Sequence, residues 1–217
     1  MRKFYVASVL LLLAFNGIAQ IKKSSILLGG QISYFSDKNE GLNLNQRFER
    51  GNIDLLAGKA IKENKIVGIN FSFSPFRLSN NNYNGDTSRL HLNRFSVGVF
   101  YRFYRKLTKD LYFFNQLEGS FITSLSLEHI NYNPGEIRTT QRGGLISFTP
   151  GIAYQLFKKV QFEMVIPDVL GIHYLVTNTK SQVTQVPNSR EETFGFNTSI
   201  SNNTGLAFLA VGFKFIL

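Results

Sequence analysis

Hydrophobic and polar residues alternate with a period of two through eight stretches of the chain, the pattern of strands with one apolar and one polar face. Ile26, Leu28, Ile32 and Tyr34 alternate with Ser25, Gly29, Gln31 and Ser33, interrupted by Leu27. Ile53, Leu55 and Ala57 alternate with Asn52, Asp54 and Gly58, and Val67, Ile69, Phe71 and Phe73 with Gly68, Asn70, Ser72 and Ser74. Phe95, Val97, Val99, Tyr101 and Phe103 oppose Arg94, Ser96, Gly98 and Arg102, while Leu111, Phe113, Leu117 and Phe121 oppose Gln116, Glu118 and Ser120. Ile146, Phe148, Ile152, Tyr154 and Leu156 oppose Ser147, Thr149, Gly151, Ala153 and Gln155. Phe162, Met164 and Ile166 then oppose Gln161 and Glu163, and Leu209, Val211, Phe213 and Phe215 oppose Ala210, Gly212 and Lys214. Pro150 and Pro167 fall within strands six and seven, where bulges or strand bends are expected, because a closed barrel has no edge to accommodate a missing N–H.

The connections sort by length. Lys62–Lys65, Arg105–Asp110 and Lys158–Lys159 are short, whereas Ser36–Arg50, Phe76–His91, Glu128–Arg142 and Val176–Glu192 are long and rich in Asn, Gly, Ser and Thr. Strict alternation of short and long puts all short turns at one end. This predicts an all-β fold, an eight-stranded antiparallel up-and-down transmembrane β-barrel with short periplasmic turns and long extracellular loops. A soluble lipocalin-like barrel also alternates, with its apolar face inside. Here the polar face is Gly, Ser, Asn, Gln and a few charges, residues suited to the crowded interior of a narrow barrel. Tyr101, Phe103, Tyr104, Tyr112, Phe113, Phe114, Tyr154, Phe157 and Phe162 gather beside the short turns, where an interfacial girdle belongs. The chain also stops on its last strand, at Gly212-Phe213-Lys214-Phe215-Ile216-Leu217.

Export is predicted by the first residues. Met1-Arg2-Lys3 is a basic start, Val6–Phe15 an apolar run, and Gly17-Ile18-Ala19 a small-x-small end, together a secretory signal peptide cleaved between Ala19 and Gln20. The expected organisation is residues 1–19 as signal and 20–217 as the barrel domain, in the outer membrane of a Gram-negative-type cell. With Cys 0 there is no disulfide framework, thiolate metal site or cysteine nucleophile.

The signal ending Ala19-Gln20, the first-strand Leu28-Gly29-Gly30, the run Phe148-Thr149-Pro150-Gly151-Ile152-Ala153-Tyr154 leading into a Lys-Lys turn, and the aromatic last strand carry a family likeness. The chain resembles the small eight-stranded outer-membrane β-barrel proteins, the OmpX-like and PorT-like group. That resemblance implies that the final strand, with Phe213, Phe215 and Leu217, is read by the barrel-assembly machinery. A terminal Leu217 departs from the usual aromatic ending.

Charge adds detail. Of the formal +10, Arg2 and Lys3 leave with the signal, and the remaining excess lies at the short-turn end, on Lys22, Lys23, Lys59, Lys62, Lys65, Arg105, Lys106, Lys109, Lys158 and Lys159 against Glu63 and Asp110. Such charges suit anionic lipid headgroups. Scattered over separate turns of an exported protein, they form no continuous basic stripe, so nucleic acid is not an expected partner.

Asp54, Arg94, Arg102, Gln116, Glu118, Gln155, Gln161, Glu163 and Lys214 share the inward face and are the candidate interior polar network. Charges inside a narrow barrel must be paired or wetted. Glu163 and Lys214 are the first pair expected, with Arg102 joining them. The network reads either as a salt-bridged plug or as a gate or narrow proton path. His91, His129 and His173 lie apart and none shows a His-x-Ser spacing. Asp37-x-Asn39-x-Gly41 lacks the later glycine and glutamate of an EF-hand, and the Asn80–Asp86 tract is turn chemistry. Neither a metal, a cofactor nor an enzymatic activity is therefore expected.

The reading is a non-enzymatic integral outer-membrane barrel with a filled interior and a structural, adhesive or secretion- and assembly-accessory role. Its expected partners are outer-membrane lipid, the assembly machinery, and an extracellular or envelope protein reached through the long loops. The alternatives are an outer-leaflet lipid-modifying enzyme and a soluble periplasmic carrier, the latter requiring Phe71, Phe73, Val97 and Val99 to point inward.

Overall fold

Val, Ile, Phe and Tyr at every second position favour extended backbone that buries one face of each strand. The computed structural model describes residues 21–40, 44–82, 87–130, 135–183, 187–198 and 209–217. It consists of ten antiparallel strands: β1 (Ile26–Glu40), β2 (Leu44–Lys62), β3 (Lys65–Asn82), β4 (Thr87–Lys106), β5 (Leu111–Ile130), β6 (Glu136–Phe157), β7 (Val160–Val165), β8 (Leu170–Ser181), β9 (Ser189–Asn197) and β10 (Ala210–Ile216). Signal residues Ala19 and Gln20 lie outside the described residues.

The ten strands make a ring of eight. Each of β1 to β6 pairs with its chain neighbour, β6 pairs with β7, β7 with β10, and β10 closes on β1. The seventh position is filled by β7 and then β8, both on β6, and the eighth by β9 on β8 and then β10. The ten-against-eight difference thus comes from two interruptions. One is Ile166–Val169, where Phe148↔Leu170 and Gly151↔Val165 leave four residues facing two. Pro150 and Pro167 meet at this bulge, so neither ring removes a ladder donor. Asp168 turns through positive φ there, and its N–H donates to Thr149 Oγ1 at 3.2 Å.

The four long connections stand at one end, but most of their residues continue as paired strand. Register runs from Ser36↔Glu49 to Glu40↔Asn45 in one hairpin and from Arg77↔His91 to Asn81↔Thr87 in another. At about 3.3 Å per residue and a tilt of about 40°, a strand of β4's length stands roughly 50 Å tall, twice an apolar band of about 25 Å. The projecting part has its own inward contacts: the Phe35, Phe48 and Phe76 rings stack edge to face at 5.7 and 5.0 Å. That apolar lining explains why segments read as polar loops form hairpins.

The apolar face points outward. Phe71, Val97 and Val99 are 46%, 56% and 62% exposed, and Phe73 shares their side of the sheet, the reverse of a soluble carrier's arrangement. The girdle expected at the short turns is partly so arranged: Tyr101, Phe103, Tyr154 and Phe157 are exposed. Tyr104, Tyr112 and Phe114 are buried inside instead, since they share the parity of Arg102 and Gln116 rather than that of Tyr101 and Phe113. With Ile21, Leu56, Ile66 and Phe100 they form an apolar plug. Ile21 is tied beneath the barrel by reciprocal bonds with Asn64: its N–H donates to the side-chain oxygen at 3.2 Å, and its carbonyl accepts the Asn64 N–H at 3.0 Å.

Candidate functional site: the barrel interior

Inward parity brings Arg102 of β4, Gln116 of β5, Glu163 of β7 and Lys214 of β10 to one level of the interior. Arg102, Glu163 and Lys214 are all 0% exposed. Arg102 Nη1 donates to Glu163 Oε1 at 2.8 Å and Oε2 at 3.0 Å, while its Nε and Nη2 donate to Gln116 Oε1 at 2.9 and 2.6 Å. The Tyr104 hydroxyl also donates to Glu163 Oε1, at 3.0 Å. The guanidinium lies 4.3 Å from the Phe114 ring centroid, with Phe100 and Tyr104 at 5.7 and 5.8 Å. Aromatic faces thereby offset part of the desolvation of a buried cation.

Lys214 Nζ stands 3.7 Å from Glu163 Oε2, an ion pair without a hydrogen bond. Its neighbour across the ladder, Gln161, is fully buried with neither amide atom bonded. Gln116 Nε2 continues the chain to Glu118 Oε2 at 3.0 Å. The hydrogen-bonded set is therefore Glu118, Gln116, Arg102, Glu163 and Tyr104, with Lys214 beside it.

Three predicted interior residues lie elsewhere. Asp54 belongs to a cluster higher up, accepting from Asn52 Nδ2 at 2.6 Å, while Ser72 and Ser74 donate to Asn52 Oδ1. Arg94 lines the same upper lumen with its Nε unbonded. Gln155 is spent on the β6–β7 turn, donating to the carbonyls of Phe157 and Lys158 at 2.9 Å each. Sequence reasoning missed Asn52, Tyr104, Phe100 and Phe114. Strict parity would have found all four, because Asn52 shares the face of Asp54, Phe100 and Tyr104 that of Arg102, and Phe114 that of Gln116.

Glycines make the space. A Cβ on Gly151 would enter the Phe114 ring, and one on Gly68 would meet Phe100 Cζ at 2.6 Å. Gly29, opposite Lys214, leaves room for the lysine stem. Above the plug a polar lumen of about 500 Å³ is lined by Asn52, Asp54, Ser72, Arg94, Glu118 and His173, among others. His91 and His129 stand on the outer face, the latter 4.0 Å from Glu136. Among the described residues no serine hydroxyl hydrogen-bonds a histidine.

Phe213 and Phe215 are exposed on the outer face, the Phe213 ring 5.5 Å from that of Phe162. Leu217 closes the chain on β1, exchanging backbone bonds with Ile26 at 2.8 and 2.9 Å.

No protein-family model and no curated protein matches the chain. Among solved structures, it is similar to the outer membrane protein OprG from Pseudomonas aeruginosa, with a TM-score of 0.51 and 10% identity over 90% of this chain and 97% of that one. The translocator domain of the autotransporter NalP from Neisseria meningitidis also matches, at 10% identity and a TM-score of 0.26 over 100% of this chain and 93% of that one. An apolar exterior, a charge-lined interior closed at one end, and the likeness to OprG together identify the fold as that of an outer-membrane β-barrel.

Proposed function

We propose that the protein is a non-enzymatic integral component of a Gram-negative-type outer membrane, exported through a cleaved signal and allied to the OmpX-like and PorT-like group. Its barrel is closed to diffusion, and its work is done by the hairpins projecting from the long-connection end. That work is structural, adhesive or accessory to secretion or assembly, with outer-membrane lipid and an extracellular or envelope protein as partners.

The observation that carries this reading is the plug. A buried Arg102–Glu163–Lys214 cluster, walled by Phe100, Tyr104 and Phe114 and floored by Ile21, fills the interior at the short-turn end. The polar lumen above it is a blind cup. The test is reconstitution into planar bilayers after heat-modifiable migration has shown a folded barrel. No conductance steps are expected from the wild type. A steady ionic conductance from the intact barrel would refute the closed interior and favour the gate or proton path.

A further inference from the structure

The charges of the hairpin end are divided by face. Register places Arg47, Ser79 and Arg89 in one cross-strand row, and Glu49, Arg77 and His91 in the next row toward the apolar belt. All six share the parity of Leu55, Phe73 and Val97, so they stand on the outer face, where they line a shallow cleft of about 370 Å³. Glu49 is the carboxylate of this cleft, and Arg47 already holds it at 2.6 Å. Arg77 and Arg89 are exposed and have no carboxylate or hydrogen-bond partner among the described residues. Two cations are thus left for something outside the chain, with the Ser79 hydroxyl between two of the arginines.

Height narrows what that something is. Phe73 is the last aromatic residue on the outer face of β3, Pro75 follows it, and Arg77 stands four residues beyond Phe73. At about 3.3 Å per residue and a tilt of about 40°, Arg77 lies roughly 10 Å above Phe73. A long arginine side chain from there reaches the headgroup layer flanking the hydrocarbon. The planar guanidinium fork matches phosphate oxygens, and two forks on adjacent strands can grip one group. The strands rise well beyond an ordinary bilayer on this side alone, which suits a lipid with a sugar-bearing headgroup. We infer that the Arg77–Arg89 cleft binds a phosphate of an outer-leaflet phosphoglycolipid, with Arg47, Ser79 and His91 at its margin. This rests on the outer-membrane reading above.

The test uses the folded full-length mature protein in neutral detergent micelles, with bis-phosphorylated lipid A as the probe. Dephosphorylated lipid A, phosphatidylglycerol and inorganic phosphate are the comparison arms. Arg77→Gln/Arg89→Gln is expected to weaken lipid A binding by at least about tenfold, as loss of two charge-assisted contacts implies. Removing the lipid's phosphates should do the same. Unchanged binding by an R77Q/R89Q barrel that still migrates heat-modifiably would overturn the site. Equal affinity for phosphatidylglycerol would overturn the choice of glycolipid, and equal affinity for inorganic phosphate would make this a free-anion site. Were the double variant to misassemble, the single R77Q barrel and a salt titration of the wild type decide: binding indifferent to both overturns the proposal. A wild type that forms no heat-modifiable barrel would bring down the outer-membrane reading itself.

Discussion

Glu163 is the residue whose loss should cost the barrel most. It is the carboxylate bonded to Arg102 and nearest to Lys214, and all three side chains have no exposure. Glu163→Gln keeps the shape and removes the charge. Arg102 then loses two charge-assisted bonds, and two cations are left buried without a counter-ion. Removing one partner of a buried pair costs about 3–5 kcal/mol. With a urea dependence of about 2 kcal/mol per molar, the unfolding midpoint should fall by about 1.5–2.5 M. The assay is urea unfolding of the barrel in lipid vesicles, followed by loss of heat-modifiable migration. Lys214→Met is the contrast. Its ammonium makes no hydrogen bond and stands 3.7 Å from the carboxylate, so its replacement by an apolar chain of similar length should change stability by less than about 1 kcal/mol. Lys214→Met should also recover part of the loss in the E163Q background. An E163Q stability within about 0.5 kcal/mol of wild type would refute the reasoning, because Arg102 and Lys214 would then have to be solvated rather than paired.

Two further outcomes follow from the same geometry. Gly151→Ala puts a Cβ into the Phe114 ring and should destabilise the barrel by about 1–3 kcal/mol through overpacking. The smaller side chain of F114L should restore much of that in the same unfolding assay, and no rescue would mean that ring contact is not the cause. Val99→Arg, near the middle of the outward row Phe95, Val97, Val99, Tyr101 and Phe103, should cost about 2–4 kcal/mol if the hydrocarbon midplane lies there. A neutral V99R in vesicles would move the membrane belt elsewhere on the sheet.

Much of the fold was legible because side-chain period in a strand reports orientation directly. The ring of eight, the outward Phe71, Val97 and Val99, and the strand ending at Phe215-Ile216 all follow from alternation. The break at Pro167 was legible too, since a ring nitrogen cannot serve a ladder. What was not legible depends on tertiary contact. Ser36–Arg50 and Phe76–His91 read as loops on composition, yet Phe35, Phe48 and Phe76 meet ring to ring only when three strands are side by side. Gln155 had the right parity for the interior, but two turn carbonyls compete for its amide. Tyr104, Tyr112 and Phe114 stand beside the short turns as girdle residues do, but their parity turns them inward.

The two kinds of interior follow from how the wall is closed. Ring closure between β1 and β10 runs from Leu27↔Ile216 to Ile32↔Val211. Above Ile32, among the described residues, β1 is bonded to β2 alone and β9 to β8 alone. Lys214 faces Gly29 within the closed zone, and Glu163 faces Gly212 beside it. An ion cluster excluded from water needs such a wall, because its attraction depends on a low dielectric and weakens wherever solvent enters. The inward residues just above the closed zone are Ser33, Asn52, Ser74 and Arg94, which tolerate water and need no seal, and the rings of Phe35, Phe48 and Phe76 pack beyond them. A buried ion cluster walled by aromatics therefore marks where the barrel is sealed, and the small polar residues directly above it mark where it is wet. A sealed base anchors long hairpins, so the outer faces of those hairpins can change charge without disturbing what holds the barrel together.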